Sequence, residues 1–170
     1  MMIIKVVAPL LSIVILTVIA ALPWGLSSED RFVLPLLPIV AIHYWSLRQS
    51  ETIPEWFVFL AGLSLDILTH GPLGFWSLIY LLSYYLGVVS HAQGLRGQSA
   101  RLVLFAVSLL AITAAAWLIS SIYVLEFMDW RPFAIGATYA GLGALFIVPL
   151  LHVFAPRSGR QDYLNFKRGA

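Results

Sequence analysis

The chain alternates long apolar blocks with short polar breaks. The blocks occupy residues 6–26, 32–47, 54–69, 72–89, 102–127 and 132–154, and most charged residues fall between them. Runs this long and this apolar lack the period-2 alternation of barrel strands and predict membrane helices. No break is long enough to hold a soluble domain. The largest aqueous piece, the tail at 155–170, is too short to fold alone. The pattern therefore predicts an all-α polytopic membrane protein: a six-helix transmembrane domain over 1–154, followed by a basic tail.

Local signals sharpen the block ends. Leu22-Pro23-Trp24-Gly25 closes span 1 with an aromatic, and Tyr44-Trp45 lies near the end of span 2, both as interfacial belts do. Pro35 and Pro38 lie near the start of span 2, where a missing amide costs least, and Pro54 opens span 3. Spans 2, 3 and 4 fall short of the roughly 20 residues a crossing helix needs. Either the bilayer is thinned around them or neighbouring helices shield them. The competing arrangement makes spans 3 and 4 a re-entrant hairpin.

Composition agrees with the pattern. Of 170 residues, 61% are hydrophobic and 11% charged, with mean hydropathy +0.92, against about 25% charged in soluble domains. The absence of cysteine excludes disulfides, thiolate metal sites and cysteine nucleophiles. Lys5 precedes span 1, but no small-x-small cleavage site follows Trp24-Gly25, so span 1 reads as retained.

Charge placement sets the orientation. With the N-terminus in the cytoplasm and six crossings, Lys5, Arg48, Arg96, Arg101, Arg157, Arg160, Lys167 and Arg168 lie inside, and only Arg31 and Arg131 lie outside. This is a clear positive-inside bias. A re-entrant hairpin would place the loop at 90–101 outside and break it. The tail, with Arg157, Arg160, Lys167 and Arg168, reads as an anchor on anionic headgroups; its bases are too dispersed for nucleic acid.

Asp66 is the one acid deep inside an apolar span that ends in a nearly loopless turn, His70-Gly71-Pro72. Intramembrane charge is costly and marks a structural or functional node. Gly62 at i−4 and His70 at i+4 share its face. A carboxylate near a helix C-terminus meets the unfavourable end of the dipole and needs compensation. The candidates are His70, the free amides opening span 4, a water, or a group from another span. Three roles stand: a pin for the hairpin, a proton or cation site, and a contact with a partner or ligand. Gly71 is expected to permit the sharp turn and Pro72 to start the next helix, with Gly74 allowing close approach.

Span 6 carries a ridge of small residues, Gly136, Ala137, Ala140, Gly141 and Ala144, at small-x-x-x-small spacing, and span 5 offers Ala111, Ala114 and Ala115. Such ridges favour close helix packing, inside the bundle or against a partner. Catalytic signals are weak. Gly62-Leu63-Ser64-Leu65-Asp66 lacks the closing glycine and strand of a nucleophile elbow. His43, His70, His91 and His152 are scattered, with no pair at ligand spacing on one helix. No catalytic group, metal site or cofactor is expected.

Gly62-Leu63, Asp66-Ile67 and Gly71-Pro72-Leu73-Gly74, followed by Tyr80 and Tyr84-Tyr85, resemble the signature of the MreD family of rod shape-determining membrane proteins. Pro23-Trp24, Pro38 with Tyr44-Trp45-Ser46-Leu47, the length and the basic tail fit across the chain. The charged connection between spans 5 and 6 departs from the pattern, although Arg131-Pro132-Phe133 resembles the usual entry into span 6. The resemblance implies a non-catalytic component of the bacterial cell-wall elongation complex, in the inner membrane with both termini cytoplasmic. It implies association with the periplasmic coiled-coil protein MreC and, through it, with MreB, RodA and the elongation-specific penicillin-binding protein. The implied fold is that of the substrate-binding subunit of energy-coupling-factor transporters, with a pocket among the outer helix ends and Asp66 near its rim. Two rival classes remain. A small-molecule-binding subunit of a transporter would show a polar, outward-open pocket. An intramembrane enzyme would bring two polar catalytic groups face to face.

Overall fold

The computed structural model describes residues 2–22, 25, 34–49, 53–92 and 98–154. The polar turn at 27–31, the Trp24 belt position and the tail at 155–170 lie outside the described residues. Six α-helices follow in order: α1 (Met2–Ala21), α2 (Leu37–Gln49, led by a 3-10 turn at Leu34–Leu36), α3 (Glu55–Thr69), α4 (Phe75–Ala92), α5 (Gln98–Val124) and α6 (Arg131–Phe154). No strand occurs among the described residues. Three segments, Phe75–Ala92, Ala100–Val124 and Arg131–Val153, are long and apolar enough to cross a membrane, and Val7–Ala21 is a shorter apolar helix.

The shortest helix is the central post. Residues 38–46 of α2 are buried on every side, the signature of a core helix, and α1, α4 and α6 pack directly against it. α3 covers α1 and α4, while α5 joins α4 to α6. Shielding by neighbours thus accounts for the shortness of α2. This position also corrects the expectation for Tyr44-Trp45 as a lipid-facing belt. Trp45 is fully buried and Tyr44 is 8% exposed. The Trp45 indole N–H donates to Ser12 Oγ of α1 at 2.9 Å, so Trp45 ties α1 to the post.

α4 runs parallel to α2 along its whole length. The Tyr80 hydroxyl donates to the Pro35 carbonyl (3.0 Å), Ser83 Oγ to the Ile39 carbonyl (3.5 Å), and His91 Nδ1 meets the Leu47 carbonyl (2.7 Å). The offset between partners stays at 44 or 45 residues. α3 runs antiparallel to α4: Ser77 Oγ donates to the Phe59 carbonyl (3.1 Å) near one end, and the Tyr85 hydroxyl to Glu55 Oε2 (2.8 Å) toward the other. The α3–α4 hairpin therefore extends alongside α2 rather than folding back halfway.

Helix ends differ from block ends where apolar residues continue past the helix. α5 stops at Val124 because Leu125 takes a left-handed φ of 59°. The connection to α6 is then held by Trp117 Nε1–H donating to the Met128 carbonyl (2.9 Å) and Met128 N–H donating to Ser121 Oγ (3.3 Å). Leu125 and Phe127 stay fully apolar yet sit 89% exposed outside any helix.

Candidate functional site

The α3–α4 turn is built around Asp66. Its carboxylate is completely buried. Oδ2 accepts from the Gly74 amide at 2.8 Å and Oδ1 from the Trp76 amide at 3.0 Å, and the Ser77 amide faces the same group. The first amides of a helix have no partners within it. A capping side chain normally comes from the residue just before the helix. Here glycine occupies that place, and an acid from the preceding helix supplies the cap. The positive end of the α4 dipole adds to the attraction. Of the four candidate partners, the structure selects the amides opening α4.

The same residue closes the other side of the turn. The Gly71 N–H donates to the Asp66 carbonyl (3.0 Å) and the His70 N–H to the Ile67 carbonyl (3.3 Å). These paired bonds form a Schellman motif. The turn amides thus satisfy the last carbonyls of α3, that of Asp66 among them, while the Asp66 side chain satisfies the first amides of α4. That economy matters because the Asp66 carboxylate is completely buried, and buried amides and carbonyls need partners within the protein.

Three expectations about the turn need correction. The left-handed position after α3 belongs to His70, at φ 53° and ψ 34°, and not to Gly71. His70 is exposed and takes no part in the carboxylate contacts, although it shares the sequence face of Gly62 and Asp66. Pro72 does not begin α4: it stays in the turn, its carbonyl accepting from the Phe75 amide (3.1 Å). Gly74 sits at φ 91°, and a Cβ there would meet nothing within 4 Å. Its role is conformational freedom rather than close approach. A non-glycine residue at left-handed φ costs about 1 kcal/mol. His70→Gly is accordingly expected to raise stability by up to about 1 kcal/mol, read as a higher unfolding midpoint in detergent; a fall would show that the imidazole makes a contact of its own.

Close approach is the work of Gly62. A Cβ at Gly62 would fall onto the backbone of α4, 2.5 Å from the Ser77 nitrogen and 2.6 Å from the Trp76 carbonyl carbon. Gly62 and Asp66, one helical turn apart, therefore dock the same stretch of α4. A second close approach escaped the sequence reading. A Cβ at Gly87 would lie 2.9 Å from Ser46 Cβ and 3.2 Å from the His43 carbonyl oxygen, so Gly87 lets α4 lie against the post. Ser83 and Gly87 carry the same i, i+4 small-residue spacing that marks span 6.

The ridge on α6 is divided. Gly136, Ala140 and Ala144 are buried within the bundle, while Ala137 and Gly141 are half-buried. At Gly141 an added Cβ would meet only Leu109 Cδ2, at 3.8 Å, so this position tolerates a small side chain. Ala111 and Ala114 of α5 are exposed and Ala115 half-buried. Between α5 and α6 lies an open groove of about 560 Å³ with apolar walls. Ser64 is exposed and donates to its own helix at Leu60 (2.7 Å), away from Asp66. His43 is buried on α2 beside Phe105, with no hydrogen bond of full geometry at either ring nitrogen and the Ser83 backbone near it. His152 meets Arg48.

Together these features define an all-helical bundle of membrane-protein character around a buried helix, with an acid-locked hairpin at one end. Comparison with protein families, with curated proteins and with solved structures gives no match.

Proposed function

We propose that this chain is a non-catalytic, six-crossing subunit of the bacterial cell-wall elongation complex, of the MreD kind, set in the inner membrane with both termini cytoplasmic. The observation that carries the reading is the cap made by Asp66. The residues that resemble the MreD signature are not merely adjacent in sequence: Gly62 admits α4, Asp66 caps it, and Gly74 supplies the φ that brings its amides onto the carboxylate. The proposed role is structural. The hairpin holds the outer end of the bundle in one shape, against which the MreC-like scaffold docks, linking the chain to MreB, RodA and the elongation-specific penicillin-binding protein. The implied likeness to energy-coupling-factor substrate-binding subunits is part of the same proposal. The groove between α5 and α6 has apolar walls, which suits lipid or a helix better than a polar vitamin.

The test is rescue. Expressed in a rod-shaped bacterium depleted of its own MreD together with the cognate MreC, the chain is expected to restore rods and to co-purify with MreC. Abundant membrane protein that neither restores shape nor binds MreC would sink the assignment. The orientation has its own test. The chain has no cysteine, so single cysteines report cleanly. Gly71→Cys and Asp129→Cys should react with an impermeant thiol reagent added outside intact cells, and Gly97→Cys and Gly159→Cys should react only after lysis. Outside labelling at residue 97 would favour a re-entrant hairpin.

A further inference from the structure

The open groove between α5 and α6 is not used by the shape reading. Its wall on α5 runs from Ala106 to Trp117, and on α6 from Trp130 to Thr138. The two threonines in it, Thr113 and Thr138, each donate to their own helix, to the Leu109 carbonyl (2.7 Å) and the Ala134 carbonyl (2.8 Å). Hydroxyls held in this way leave the walls apolar. At 1.5 Å per residue the α5 wall is about 16 Å long, close to the ~15 Å hydrocarbon depth of one leaflet. A partner helix crossing beside α5 and α6 would need a slot along the whole ~30 Å of the bilayer core. On α6 the wall stops at Thr138, and Leu109 Cδ2 of α5 then lies 3.8 Å from the position of a Cβ on Gly141.

The mouth of the groove lies at Trp117 and Trp130, where the connection between the two helices begins. The Trp117 ring stacks on Phe127, with centroids 6.3 Å apart. Trp130 is 63% exposed, at the level where indole rings sit in a bilayer interface. Three exposed charged residues surround this mouth. Arg131 shares a helix face with two wall residues, Ala134 at i+3 and Thr138 at i+7. Helical side chains lean toward the N-terminus, which carries its guanidinium out over the mouth. Asp129 adjoins Trp130, and its Oδ1 accepts from the Arg131 amide at 3.0 Å. Glu126 adjoins Phe127. Among the described residues no ion pair joins the Arg131 guanidinium to either acid, and the Glu126 carboxylate has no hydrogen-bond partner.

The charges at the mouth name the headgroup. A slot one leaflet deep suits an acyl chain, and the chain's polar end then meets one cation and two acids. An anionic headgroup would be drawn to Arg131 and repelled by Glu126 and Asp129. A choline headgroup brings a cation without an N–H to donate. An ethanolamine headgroup matches all three groups. Its phosphate accepts from a guanidinium, and its ammonium has three donors for carboxylates.

The geometry points to a binding site for one phosphatidylethanolamine, with an acyl chain in the α5–α6 groove, the phosphate on Arg131 and the ammonium facing Glu126 and Asp129. The lipid belongs to the leaflet on the side of the α5–α6 connection. The site rests on α5 and α6 crossing the bilayer and is independent of the role in cell elongation.

The experiment is native mass spectrometry of the purified full chain in uncharged detergent. The chain is titrated with phosphatidylethanolamine, phosphatidylcholine and phosphatidylglycerol of the same acyl chains, with soluble glycerophosphoethanolamine as competitor. One saturable phosphatidylethanolamine is expected, about tenfold tighter than either other lipid and not displaced by millimolar glycerophosphoethanolamine. Arg131→Gln should weaken it about tenfold. Glu126→Gln combined with Asp129→Asn should reverse the preference to phosphatidylglycerol, a change that a merely structural role of the connection would not produce. Ala114→Trp, from an exposed position on the wall, should abolish binding by filling the slot, and Arg48→Gln at the opposite end should leave it unchanged. The three charged residues are exposed, so the lipid-free unfolding midpoints of their variants should match the wild type and separate lost binding from lost fold. Equal binding of the three lipids, or equal phosphatidylethanolamine binding by the wild type and Arg131→Gln, overturns the headgroup assignment. Displacement by glycerophosphoethanolamine overturns the lipid in favour of a soluble ligand, and full binding by Ala114→Trp overturns the placement of the acyl chain. A dimer of the chain in place of bound lipid, broken by Ala114→Trp, would give the groove to a second copy.

Discussion

Asp66→Leu is expected to destabilise the folded chain by roughly 3–5 kcal/mol, enough to leave little of it intact in detergent. The substitution keeps the volume and apolar character that a membrane span asks for, so a reading by hydropathy alone would score it as an improvement. The loss comes from the amides. Gly74 and Trp76 each donate to a separate oxygen of the carboxylate, and in a site with no exposure neither finds water in its place. Each stranded amide costs about 1–3 kcal/mol, and bonds to a charged acceptor stand at the upper end. Asp66→Asn is intermediate for a geometric reason. A carboxamide has one acceptor oxygen, so one amide keeps its partner while the other faces an NH2 group. A cost of about 2 kcal/mol is expected. Unfolding midpoints of the purified variants check the order wild type, Asn, Leu; a Leu variant as stable as the wild type would mean that the cap contributes nothing.

Gly62→Ala is expected to cost about 3 kcal/mol. Alanine is the better helix former by up to 1 kcal/mol, so an isolated α3 would gain from the change. In the bundle the new carbon meets the backbone of α4 at Trp76 and Ser77, and backbone cannot rotate aside as a side chain does. The helices must separate, which also draws Gly74 and Trp76 away from Asp66. Gly141→Ala is the internal control, because its added carbon has room beside Leu109 at 3.8 Å and should change stability by less than about 0.5 kcal/mol. The difference between the two midpoints is the measurement. Similar values would show that Gly62 does not set the contact between α3 and α4.

The six blocks were legible because apolar runs of helical length punctuated by charge have few other readings. Asp66 was legible as a node because an acid in such a run needs a reason. Its partner was not, since four groups lay within reach of the turn and only the dihedrals of the turn choose among them. Gly71 reads from sequence as the residue that permits the sharp turn, whereas His70 takes the left-handed place. The central position of α2 left no trace in composition: a block buried by protein and a block bathed in lipid are equally apolar, so Tyr44-Trp45 reads as a belt until neighbours are known. The helix ends near Leu73 and Leu125 were obscured because both turns are themselves apolar. Gly87 was within reach of the sequence, at the spacing from Ser83 that drew attention to α6.

The most direct test of the account is rod-shape rescue by Asp66→Asn and Asp66→Leu, scored in the same cultures as membrane abundance and co-purification with MreC. A pin that shapes the hairpin makes the three readouts move together: partial for Asn, absent for Leu. Spherical cells carrying an abundant, fully complexed Asn variant would contradict it, because the bundle and its assembly would then be intact and the charge of Asp66 would itself be the function.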